Sequence, residues 1–264
     1  MAFVGRKQDS SGSFRDAHPG TFNPDRLAVT RGRTGIGIAV ACLSVFAILF
    51  SIVRKNRSQS VDAAITIKVQ GQKSHSFDRL MHVVSWPGFP PQSRLLPPSI
   101  SAALWLLGFR LEALFQLLAW GTGGVSFTVK RAMKRPRPQS SAADNAIRVV
   151  AANIGGSSFP SGHVLNYIGV YGFLTYLAHT WIRPTRIRQT VVSMLLSLLA
   201  LVGPSRVYLG HHWFTDVTAS YMLGTTYLLA IVNIYRKARV RISRTQRDVN
   251  MDVPATIKGN MRRR

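Results

Sequence analysis

The chain has a single cysteine in 264 residues, Cys42, so an intrachain disulfide is excluded and cysteine usage carries no information on redox compartment. Acids are scarce too, with 10 Asp and Glu against 34 Lys and Arg and a formal net charge of +24. So basic a balance points toward polyanions, yet no RNA- or DNA-binding motif accompanies it, and basic segments flanking membrane spans meet anionic lipid head groups. No nucleic-acid partner is therefore expected. Metal-ligand patterns are missing as well: His18, His75, His82 and His179 have no partners at ligand spacing, so neither a metal nor another cofactor is expected. No internal repeat is evident.

What is present is apolar sequence gathered into long runs. Thr34 to Val53 contains no charge over twenty residues, about the length a helix needs to cross a hydrocarbon core of ~30 Å. This run follows Arg31 and Arg33 and lacks a small-residue cleavage site before Arg54, which favours a retained helix over a removed signal peptide. Leu95 to Val129 is charged only at Arg110 and Glu112; as one helix it is too long for one crossing, so it reads as a hairpin turning near Gly108–Glu112. Three further spans are expected at His163–Trp181, at Gln189–Val202 ending at Gly203 and Pro204, and at Phe214–Tyr235. The segment around Phe77–Trp86 has helical apolar spacing suited to the membrane interface, and the proline-rich stretch from Pro87 to Pro98 breaks it.

These readings predict an all-α integral membrane bundle of six transmembrane helices, with active-site loops on one face. Residues 1–33 form a flexible polar tail, 34–235 the membrane domain, and 236–264 a basic C-terminal tail. Crossing parity puts the ends of the third and fifth helices and the starts of the fourth and sixth on one face, opposite both termini. The larger share of Lys and Arg lies on the side of the termini, which predicts cytoplasmic termini and an extracytoplasmic second face in a multi-pass cell-membrane protein.

That second face carries three unusual polar blocks. In the first, Lys130 is followed after six residues by Arg137 and Pro138; the second is Pro160-Ser161-Gly162-His163; the third holds Ser205, Arg206, His212 and Asp216. In order and internal spacing they resemble the signature of the type 2 phosphatidic acid phosphatase family, membrane lipid phosphate phosphatases that share their site with vanadium-dependent haloperoxidases. The family spacing selects His212 rather than its neighbour His211. On a helix, positions i and i+4 share a face, so Asp216 can hold the imidazole of His212; if the helix begins only at Trp213, the family spacing alone carries the choice.

The resemblance implies a metal-independent phosphoryl transfer. His212 attacks phosphorus to form a phosphohistidine, Asp216 orients it, and His163 is the general acid that later activates water. Lys130, Arg137 and Arg206 surround the phosphate, with the Ser161 hydroxyl and the Gly162 backbone N–H donating at a helix N-terminus. The implied substrate is a lipid phosphate or diphosphate and the implied partner is the membrane. Alternatives are a phosphotransferase that passes the same phosphoryl group to a lipid acceptor, and a non-catalytic binder of anionic lipids. A vanadate haloperoxidase fits less well, since that resemblance is to soluble proteins.

Each block has a plainer reading in isolation. Ser161 reads as an N-cap, the basic run from Lys130 as a head-group anchor, and His212 with Asp216 as a surface pair. Joint occurrence on one face favours the site. Arg131, Lys134 and Arg135 fall outside the motif and receive no catalytic role; Trp120, Trp181 and Trp213 read as interface anchors, and Gly121–Gly124 as a point of close helix packing.

Overall fold

The computed structural model describes residues 32–71, 74–138, 147–150 and 155–252. Most of the N-terminal tail and the last twelve residues lie outside them. Among the described residues the chain is all-helical, without a strand. The helices are α1 (Gly32–Arg54), α2 (Gln59–Gln70), α3 (His75–Ser85), α4 (Gln92–Leu106), α5 (Arg110–Trp120), α6 (Thr122–Met133), α7 (Gly162–Trp181), α8 (Thr185–Tyr208) and α9 (Phe214–Asp252), with a 3-10 turn at Trp86–Gly88 after α3. Among the described residues three helices are long and apolar enough to cross a membrane: Thr34–Arg54, Thr185–Tyr208 and Phe214–Thr245.

Helix α7 is the centre. Its residues from Val164 to Phe173 are buried, and it packs against α5, α6, α8 and α9, while α1 lies along α9. The expected hairpin turns at Leu107–Phe109, where Gly108 adopts φ +87°, a backbone conformation that costs a glycine little. Its second arm is two consecutive helices, α5 and α6. Its first arm starts at Gln92, so the proline-rich stretch does not keep the helix out. Pro97 and Pro98 sit in its second turn, where they remove two backbone donors without ending it.

Two expected helix ends are corrected. Helix α8 does not stop at Gly203 and Pro204 but runs through them to Tyr208. Proline at 204 lacks the N–H that would bond the Ala200 carbonyl, and the Tyr221 hydroxyl of α9 takes its place, donating to the carbonyls of Leu199 (2.7 Å) and Ala200 (3.1 Å). The same oxygen accepts from the Gly203 N–H at 3.0 Å. A Cβ at Gly203 would collide with the Tyr221 ring, so glycine is what lets the two helices come this close. Tyr221→Phe is expected to destabilise the protein by about 1 kcal/mol, because it removes the hydrogen bonds that repair the helix at Pro204. Thermal unfolding in detergent would show this as a lowered midpoint; an unchanged midpoint contradicts the account. The second correction is at Tyr235. Arg236 to Asp252 contains neither glycine nor proline, and α9 continues through it.

Helix α2 is inverted relative to a soluble helix. Its buried residues, Asp62, Thr66 and Gln70, are all polar and recur every fourth position, whereas Val61, Ile67 and Val69 are exposed. This polar face points inward at the end of the bundle where the motif residues gather. Helix α3 packs against α8, burying Met81, Val84 and Ser85 and exposing Phe77, Leu80 and Val83.

Candidate active site

The link between α8 and α9 presents the adjacent histidines. Gly210 turns the chain at φ +72°, and the backbone N–H groups of His211 and His212 both donate to the Arg206 carbonyl, at 3.1 and 3.3 Å. Both side chains are buried. Helix α9 begins only at Phe214, so His212 precedes it, and the expected one-face geometry with Asp216 does not apply. Asp216 instead accepts the Trp213 backbone N–H at 2.9 Å, capping the helix start, and its carboxylate stands 3.7 Å from Nδ1 of His212.

The closest partner of that nitrogen is the Ser158 carbonyl at 2.8 Å. A carbonyl only accepts, so Nδ1 of His212 carries a proton and the neutral ring has its lone pair on Nε2. Nε2 lies 3.3 Å from Nη1 of Arg137. Burial, reinforced by the charges of Arg137, Arg206 and Lys130, holds His212 well below the usual imidazole range and therefore neutral. His211 is arranged the other way: its Nδ1 is 2.5 Å from Nη2 of Arg206, which can only donate, so that lone pair is already used.

The cations converge on the same place. Arg137, at the end of the connection after α6, is held by the His211 carbonyl (2.7 Å) and the Gly156 carbonyl (3.1 Å). Lys130 on α6 donates to the Ser157 carbonyl at 2.8 Å. Arg206 is fully buried on α8, with Nη1 3.3 Å from the Ser85 hydroxyl and its guanidinium 4.9 Å over the Phe89 ring. His163 opens α7, and Arg206, His212, His211 and Arg137 all act on it electrostatically. Phe89 touches both His163 and His211 edge-on, with centroids 4.9 and 6.0 Å away. The structure thus brings Lys130, Arg137, Ser161, Gly162, His163, Arg206, His212 and Asp216 to one end of the bundle.

Ser161 precedes α7 and its N–H donates to Ser220 at 2.7 Å, while its own hydroxyl has no partner among the described residues. The same is true of Nε2 of His163 and Nε of Arg206. Buried polar atoms without partners are costly, and these three, gathered with Arg137 and Lys130, suit a tetrahedral anion. Among the described residues no group of three His, Cys, Asp or Glu could hold a metal ion.

Sequence reasoning missed Arg135. It is buried, and its guanidinium reaches Asp216 (2.5 Å) and Thr215 (2.8 Å) with Nη1, and Asp62 (2.6 Å) and Ser58 (3.0 Å) with Nη2. Asp62 also accepts the N–H and hydroxyl of Thr215, at 2.9 and 2.7 Å. The signal was available: Ser58, Asp62, Thr66 and Gln70 form a polar stripe at four-residue spacing in an acid-poor chain. Arg131 and Lys134 are exposed, in keeping with no role. Trp213 is not an exposed anchor: it is buried, its Nε1 donates to the Pro136 carbonyl at 3.0 Å, and its ring lies under Arg135. Of the 121–124 glycines, Gly121 alone is tightly packed, against Tyr227.

A helical protein with membrane-length spans and a buried cationic pocket around two imidazoles belongs to the class of membrane enzymes that act on phosphate esters. The comparisons with known proteins agree. The PAP2 superfamily matches residues 111–239, which include every motif position. Phosphatidylglycerophosphatase B of Bacillus subtilis (strain 168) is 30% identical over 189 residues, covering 70% of this chain and 88% of the relative. The crystal structure of a transmembrane PAP2 type phosphatidylglycerolphosphate phosphatase from Bacillus subtilis superposes with a TM-score of 0.65 at 25% identity, covering 75% of this chain and 96% of the other. The chain belongs to the PAP2 superfamily.

Proposed function

We propose that this membrane hydrolase of the PAP2 superfamily removes the terminal phosphate of a lipid phosphate through a phosphohistidine at His212. The observation that carries the proposal is the tautomer: Nδ1–H is spent on the Ser158 carbonyl, leaving a nucleophilic lone pair on Nε2 beside Arg137. Lys130, Arg137, Arg206, the Ser161 hydroxyl and the Gly162 N–H bind the phosphate oxygens. Nε2 of His212 then forms a bond to phosphorus as the bond to the lipid oxygen breaks, and His163 gives that oxygen a proton. His163 next takes a proton from water, whose oxygen displaces Nε2 and releases inorganic phosphate. Asp216 stabilises the charge that develops on the His212 ring.

Phosphatidylglycerophosphate is the first substrate to test, since the bacterial relatives are named for it; phosphatidic acid and polyprenyl diphosphate present the same terminal group. The proposed topology has six spans, α1, α4, α5 with α6, α7, α8 and α9, with both termini cytoplasmic and the site outside. The test is phosphate release from these lipids in vesicles containing EDTA. Release insensitive to EDTA is expected, and labelled phosphate recovered in another lipid would replace hydrolysis with transfer.

The pH dependence of kcat, set by the site with phosphate bound, is expected to be bell-shaped. His212 must be neutral to attack, and its depressed value places the acid limb below about pH 6.5, the ordinary imidazole value. Activity is therefore retained above that limb and lost as pH falls through it, while the alkaline limb marks loss of the proton from the general acid. A profile flat from about pH 5 to 9 would contradict the pairing of base and acid.

A further inference from the structure

The motif residues account for the phosphate but not for what is attached to it. His163 delivers the leaving-group proton, so whatever touches His163 from outside the phosphate pocket lines the departing alcohol. That neighbour is the segment after α3. A Cβ at Gly88 would strike the His163 ring, so the backbone there lies directly against the imidazole. Phe89 follows, its ring 4.9 Å from His163 and nearly perpendicular to it, and half-exposed. On its other side His82 stacks at 5.5 Å and 24°. Arg79 lies one turn back along α3, 3.5 Å from Nε2 of His75, and all three of these α3 side chains are exposed. Asp78, the nearby acid, is engaged by Arg148 through both oxygens at 2.9 and 3.0 Å, so it does not neutralise Arg79.

Ring contacts thus lead from the proton donor to His82, in two ring-to-ring steps of 4.9 and 5.5 Å, with the Arg79 guanidinium one turn back on the same helix. We infer that His82 and Arg79, reached over Phe89, form a subsite for a second anionic group on the leaving side of the substrate. The chemical class is a lipid whose terminal phosphate monoester is joined through a short polyol to a phosphodiester. A glycerol joining the two phosphates keeps the second one within a few bonds of the oxygen that His163 protonates, on the side that Phe89 and His82 line. A lipid phosphate attached directly to diacylglycerol has nothing to place there. The subsite lies outside residues 111–239, the stretch matched to the superfamily.

This inference rests on the lipid phosphatase reading, and the test separates the two. Wild type, Arg79→Ala, His82→Ala and the double variant would be assayed on phosphatidylglycerophosphate and on phosphatidic acid, each diluted in zwitterionic vesicles. The ratio of kcat/KM for the first substrate over the second is expected to fall about tenfold in the double variant, through KM, as a charge-assisted contact is lost. Arg79→Lys should keep most of the ratio. An unchanged ratio, including equal losses on both lipids from weaker attraction to an anionic surface, overturns the subsite while leaving the phosphatase reading intact. A wild type inactive on both lipids overturns the phosphatase reading and the subsite with it.

Discussion

Alanine at position 212 is expected to lower phosphate release by on the order of 10⁴-fold or more in kcat, as loss of the nucleophile does in other covalent enzymes. The magnitude follows from what the position supplies. Nε2 is the lone pair of a ring whose other nitrogen is tied to a carbonyl, and its contact with Nη1 of Arg137, at 3.3 Å, is long enough for a phosphate to displace, whereas Nδ1 of His211 is held at 2.5 Å by Arg206. His211→Ala should behave differently. It removes an acceptor from Arg206 and so weakens a phosphate contact, raising KM more than it lowers kcat. Rapid quenching with labelled lipid should trap an acid-labile, alkali-stable phosphoenzyme in the wild type and none in His212→Ala. Equal release from that variant and the wild type removes the phosphohistidine. Because His212 is buried, His212→Gln provides a variant of closer shape, and it should be as inactive as alanine if the loss is chemical.

Much of the architecture was legible because the bilayer imposes it. A charge-free run of membrane length marked α1, apolar stretches marked α8 and α9, and Arg110 with Glu112 marked where the hairpin turns. The motif spacing selects His212 over His211, and the helical i, i+4 argument beside it weakens, since the ring precedes α9 and donates to Ser158, 54 residues away, with Asp216 at 3.7 Å. What was not legible depends on partners remote in sequence. Gly203 and Pro204 read as a helix end because the hydroxyl that repairs the break sits on α9, at Tyr221. Arg135 received no role because its acid, Asp62, lies 73 residues earlier. Local propensity and spacing cannot register such pairings, which exist only once the helices are assembled.

Arg135→Met is the second substitution with a large expected effect, and it acts on stability and turnover by different routes. The guanidinium stands between two fully buried carboxylates, Asp62 and Asp216, with ion pairs of 2.6 and 2.5 Å. Removing it leaves two like charges facing each other in a dry interior, a loss of about 3–5 kcal/mol for a broken buried pair. The unfolding midpoint in detergent should drop accordingly. Turnover should also fall, by about 10- to 100-fold, because Asp216 loses the contact that fixes it 3.7 Å from Nδ1 of His212. The two consequences separate in the double variant Arg135→Met/Asp62→Asn. Taking away the second carboxylate relieves the repulsion and should restore much of the stability, whereas Asp216 is still unclamped and kcat should stay low. Arg135→Lys keeps a charge but not the fork that reaches both acids, so it should lie between wild type and methionine on both measurements. Recovery of kcat together with stability in the double variant would reduce Arg135 to a structural strut and remove it from the positioning of the nucleophile.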